Sequence, residues 1–60
     1  MNETNKFYDY AGDWVQAVDN GCEAIEIVTE GQPELIPEQA IEFAKQLTEL
    51  AQEVKGNEHS

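Results

Sequence analysis

The sequence predicts an α+β fold: a small antiparallel sheet of two or three strands, β-hairpin first, packed by one C-terminal amphipathic helix. Three observations predict it. The stretch from Trp14 to Thr29, WVQAVDNGCEAIEIVT, is two β-rich runs around Asn20-Gly21, a pair that supplies the positive φ a tight hairpin turn demands. From Pro37 to Lys55 the residues Ala40, Phe43, Ala44, Leu47, Leu50, Ala51 and Val54 recur at three- and four-residue intervals, which is the period of one helix face. Sixty residues make one domain, close to the lower size at which a core holds a fold without disulfides or metal.

The N-terminal six residues are polar and without periodicity, so they are expected to fray, as are residues 57–60. Phe7, Tyr8 and Tyr10 follow. So dense an aromatic cluster either lies over the edge of a core or meets a partner. A hairpin over about residues 13–29 comes next. If Asn20 and Gly21 alone form its loop, Asp19 faces Cys22, Val18 faces Glu23, Gln16 faces Ile25 and Trp14 faces Ile27. Trp14, Val18, Ile25 and Ile27 then form the face that meets the helix. The opposite face carries Asp13, Val15, Ala17, Asp19, Cys22, Ala24, Glu26 and Val28. A second reading keeps Phe7 to Val18 helical, with Gly12 mid-helix at a cost of about 1 kcal/mol and a lone strand from Glu23 to Thr29 that a dimer must complete. After a turn at Glu30 to Gln32, the piece Glu34-Leu35-Ile36 is a candidate third strand.

The helix is expected over residues 37–55. Pro37 suits a first helical position, where its missing N–H is no loss, and Gly56 is placed as a left-handed stop. Its seven apolar residues fall within about 120° of the helix wheel, opposite Glu38, Glu42, Lys45, Glu49 and Glu53. Phe43 and Leu47 mark the centre of the stripe. The order Trp14-Val15, Asp19-x-Gly21, Ile25-x-Ile27, Leu35-x-Pro37-Glu38-Gln39-Ala40, Ala44-x-x-Leu47 and Ala51 resembles small ββα proteins, many of them phage-borne, whose helix opens leucine-threonine-proline-glutamate-glutamine-alanine. In that pattern threonine caps the helix and glutamine completes a capping box; this chain has Ile36 at the cap. The resemblance implies a fold and a mobile-element origin, and no activity.

Thirteen acids against three lysines, with no arginine, give a net charge of −10. Direct binding to nucleic acid or to an anionic membrane is not expected, because phosphate contacts need Lys and Arg to displace counterions. A charged partner should be basic, although acidity that serves only solubility explains the composition equally well. No stretch approaches the about 20 apolar residues of a membrane span, and MNETNKFYDY lacks the order of a signal peptide. One cysteine, Cys22, cannot close an internal disulfide, so the expected home is a bacterial or host cytosol.

Catalysis is not expected. The single histidine, His59, and the single serine, Ser60, stand at the C-terminal end, and Cys22 has no basic neighbour in sequence to activate it. One Cys with one distant His cannot close a zinc site. Asp19-Asn20-Gly21 starts like a calcium loop but lacks its later ligands. The glycines at 12, 21, 31 and 56 form no phosphate cradle, so no cofactor is expected.

DNA mimicry can be weighed by charge density. A helix over residues 37–55 rises about 28 Å, a length in which duplex DNA carries about 16 phosphates. This one carries four acids and two lysines. The span Asp9 to Glu34 is denser, with Asp9, Asp13, Asp19, Glu23, Glu26, Glu30 and Glu34 and no base. The expected function is therefore a small acidic binding protein, phage- or plasmid-borne, that modulates a basic host protein through its hairpin. The alternative is a structural module that closes a homodimer or joins a larger assembly. Asp13, Val15, Ala17, Asp19, Ala24, Glu26, Val28 and Glu30 are the candidate contact residues for either.

Overall fold

A computed structural model describes residues 2–57. The elements are β1 (Phe7–Tyr8), β2 (Trp14–Asp19), β3 (Ile25–Glu30) and α1 (Pro37–Asn57). The three strands form an antiparallel sheet in the order β1-β2-β3, and the helix lies across it over β2. This is the expected α+β class. Residues 7–19 are strand and loop, so the helical reading of that stretch is wrong. The third strand comes from before the hairpin, while Glu34 to Ile36 forms no strand.

The hairpin forms with a different register. Trp14 pairs with Glu30, Gln16 with Val28, Ala17 with Ile27 and Asp19 with Ile25, three residues away from the spacing of a two-residue loop. The cause lies in the turn. Asn20 N–H closes on Ala24 O at 3.1 Å, leaving Gly21, Cys22 and Glu23 as a three-residue loop with Gly21 and Glu23 at positive φ. The Asn20 side-chain oxygen accepts from the N–H groups of Cys22 and Ala24, and Asp19 Oδ1 accepts from Gly21 N–H. These side-chain caps stabilise a longer loop than the dipeptide alone requires. An odd shift turns one strand over relative to the other.

The helix therefore meets Val15 and Ala17, both buried, with Ile25 beside them. Trp14, expected under the helix, is on the far side. Ala17 and Leu50 are fully exposed to nothing but protein, and Val54 completes the centre of the core. An alanine at the middle of the central strand leaves room for a leucine of the crossing helix, which is why the smallest residue of β2 is the most deeply placed. Phe43 and Leu47 are only partly buried and pack at the margin. Phe7 is buried against Phe43, ring centroids 5.4 Å apart, so one of the three clustered aromatics lies in the core and the others, Tyr8 and Tyr10, are exposed.

The N-terminal arm is ordered rather than frayed. Asp19 N–H donates to Asn2 O, Glu3 pairs with Val18, and Thr4 N–H donates to Ala17 O. Between the Glu3–Val18 and Phe7–Val15 pairs the arm has three residues where β2 has two, which is a β-bulge. The Thr4 hydroxyl mends the ladder there by accepting from Ala17 N–H at 3.0 Å while donating to Asn5 O at 2.9 Å. The Gln16 amide donates to Thr4 O and to the Glu3 carboxylate. Polarity hid this pairing from a hydrophobic reading, because it rests on backbone groups, one hydroxyl and the Gln16 amide.

The helix start also departs from expectation. Ile36 cannot cap with its side chain, yet Gln39 Oε1 accepts from Ile36 N–H at 3.2 Å, so the backbone-directed half of a capping box is present. The same amide donates to Tyr8 O at 2.7 Å and Gln46 Oε1 accepts from Asn5 N–H at 2.8 Å. These two glutamines turn the helix toward the N-terminal side of the sheet. Its buried line runs through Gln39, Phe43, Gln46, Leu50 and Val54, leaving Ala40, Ala44 and Ala51 exposed. Gly56 lies within the helix, which continues to Asn57. The expected tail, with His59 and Ser60, lies otherwise outside the described residues.

Candidate functional site

The eight candidate contact residues do not share one face. Val15 and Ala17 are in the core, which removes them from any surface. Asp13, Asp19 and Ala24 lie at the two ends of the hairpin. Asp19 and Asn20 hold the β2–β3 turn, and Ala24 closes it. Only Glu26, Val28 and Glu30 remain side by side, on the outer face of β3.

Their neighbours follow from the observed register. Alternation along β2 places Trp14, Gln16 and Val18 on that face, opposite Glu30, Val28 and Glu26, and the arm adds Glu3 and Tyr8. Trp14 Nε1–H donates to Glu30 Oε2 at 2.7 Å, and Lys6 Nζ stands 4.5 Å from the centre of the Trp14 ring. The outer face is thus a strip of Trp14, Val18 and Val28 around the Gln16 amide, bordered by Glu3, Glu26 and Glu30. Trp14, Val18 and Lys6 were not expected there. The Asp19-Asn20 pair, read as two turn acceptors rather than as the end of a strand, was the signal that could have shown it.

Other acids are committed to structure. Asp9 Oδ1 accepts from Ala11 and Asp13 N–H, its Oδ2 accepts from Glu34 N–H, and Asp13 Oδ2 accepts from Gln32 N–H. Together they tie the β1–β2 loop to the linker before the helix. Gly31, at positive φ, lies so close that a Cβ there would run into the Asp13 carboxylate. The Glu34 N–H is the chief cause that holds the Asp9 carboxyl below its ordinary value of 3.8, with those of Ala11, Asp13 and Gly12 adding to it and desolvation acting the other way. A carboxyl depressed on folding contributes stability above its unfolded value, and that contribution disappears as pH falls through the lower folded value. Asp9→Asn should therefore lower the melting temperature at neutral pH, and its difference from the parent should shrink as pH falls below 3.8 and through the lower folded value. Thermal melts across this range check it; a difference independent of pH would mean that the carboxylate charge is not what matters.

A small open notch of about 110 Å³ between the β2–β3 turn and the helix end is lined by Asp19, Gly21, Glu23 and Val54. Cofactors and substrates need about 300 Å³ or more. Among the described residues no group of three His, Cys, Asp or Glu side chains is arranged to hold a metal ion, and no helix is long and apolar enough to cross a membrane. Cys22 is exposed in the turn. Comparison with family models, with curated proteins and with solved structures finds no match to this chain.

Proposed function

We propose that this is a small, acidic, non-enzymatic binding protein that occupies a basic surface of another protein through the outer face of its sheet. The observation that carries the reading is Lys6 over Trp14, with Glu30 bonded to the edge of the same ring. An aromatic face with a carboxylate beside it attracts a cation by the ring quadrupole and by charge together. Lys6 shows the arrangement engaged by the chain's own side chain. A lysine or arginine of a partner would take the same place, steered by a chain of charge −10.

The modulator is of the kind a phage or plasmid supplies to act on a host protein in the cytosol, and that origin rests on the resemblance of the sequence to phage-borne ββα proteins. DNA-like character belongs to the outer face and not to the helix, whose four acids over residues 37–55 are offset by two lysines. Binding nucleic acid directly is not part of the reading.

Charge position separates recognition from solubility. Glu26→Lys with Glu30→Lys on the outer face, and Glu38→Lys with Glu49→Lys on the helix, each move the net charge from −10 to −6. Proteins captured from a cell lysate at low salt should be lost at least about tenfold by the first pair and retained by the second, and capture by the parent should weaken steeply with salt. Equal losses from both pairs would leave acidity as a solubility device only.

A further inference from the structure

β3 is the edge of the sheet, and its ladder with β2 uses only half of its backbone. Asn20 bonds to Ala24, so Glu26, Val28 and Glu30, in phase with Ala24, turn their peptide groups to β2, while those of Ile25, Ile27 and Thr29 point outward. The N–H groups of Ala17 and Asp19, which face Ile27 and Ile25, are taken by the arm on the other side. On the helix side of the edge, Ile27 is 52% exposed. Ala40, Ala44 and Ala51 of the helix are exposed as well.

We propose that a second copy of this chain occupies the edge, β3 pairing antiparallel with its counterpart about a two-fold axis at Ile27 to give a continuous six-stranded sheet. Phase and charge select this register. Centred on Ile27, the outward peptide groups meet: Ile27 pairs with the partner's Ile27, and Ile25 with the partner's Thr29. Glu26 then faces the partner's Val28. Centring on Glu26 sets two Glu26 side chains opposite each other, and centring on Val28 sets Glu26 opposite the partner's Glu30, both repulsive. A shift to Ile25 or Thr29 shortens the overlap.

The occupant is a second copy for two further reasons. The arm side of the sheet is guarded by the bulge and by Lys6, whereas β3 has no proline, lysine or bulge, the usual guards against edge pairing. Among the described residues five hydrophobic side chains are buried, a small core for a chain whose single cysteine cannot close an internal disulfide, and oligomerisation is a common supplement at this size. A strip about 20 Å long is at the small end for a specific interface, so the dimer is concentration-dependent. It uses the edge and the helix side, leaving the outer face for the proposed basic partner, and the two associations respond to salt with opposite sign.

Sedimentation equilibrium of the full chain at low and high salt tests this. Expected is a monomer–dimer equilibrium that strengthens with salt, because two chains of charge −10 repel. Ile27→Lys, and independently Thr29→Pro, which removes an outward N–H without touching the β2 ladder, should both give monomer with an unchanged circular dichroism spectrum. In a Cys22→Ser background, Ile27→Cys should oxidise to a covalent dimer, since hydrogen-bonded antiparallel pairs place Cα atoms about 5.5 Å apart, and Val28→Cys should not. Monomer at every concentration up to about 1 mM in high salt overturns the proposal. So does a dimer that survives both edge variants.

Discussion

Leu50→Ala is expected to unfold most of the population at room temperature. Leu50 is the largest fully buried side chain, and it packs with Ala17 and Val54 at the centre of the core. Removing it forfeits its transfer free energy and leaves a cavity, together about 2–5 kcal/mol. A domain below about 70 residues rarely has more than about 3–5 kcal/mol from one core, so the loss is comparable to the whole stability. Ala17 cannot close the gap, because its backbone is held in the central strand and its methyl group cannot reorient into it. Urea unfolding measures the effect, with Glu49→Ala on the exposed face as the silent control. A Leu50→Ala protein within about 1 kcal/mol of the parent would show that the helix does not seat on β2 as described.

Val15→Lys should be equally destructive, and it distinguishes the observed register from the one a two-residue loop implies. In the latter Val15 is exposed and a lysine there is harmless. In the structure Val15 is buried between Phe7 and Thr29 on the helix side. An ammonium in this position must lose its hydration against Phe7, at a cost of about 3 kcal/mol or more. Val28→Lys, one strand away on the outer face, should keep the far-ultraviolet spectrum and cooperative melt of the parent. A Val15→Lys protein that folds and melts like the Val28→Lys protein would restore the shorter loop, in which both side chains are exposed.

The prediction pair also shows where sequence reading stops. Helix, hairpin and their order were legible because each rests on local information: the period of Ala40 to Val54, the turn chemistry of Asn20-Gly21, the backbone restriction at Pro37. The outer-face acids Glu26 and Glu30 were legible too, as alternating partners within one strand. Trp14 was misplaced because its size suits a core, and size says nothing about which side of a strand it leaves from.

By itself, the amino-acid sequence determined the α+β class, the location of hairpin and helix, and a charge of −10. Tertiary structure alone decided which faces these elements show. One residue more in the turn reverses a whole strand, and that choice depends on Asn20 and Asp19 capping the loop and on Ala17 fitting beneath Leu50. The arm from Asn2 to Lys6 pairs with the sheet only because β2 offers it the N–H and C=O groups that β3 leaves unused. Its hydrogen bonds to β2 join residues more than ten positions apart, so no local pattern in Asn2 to Lys6 could announce them.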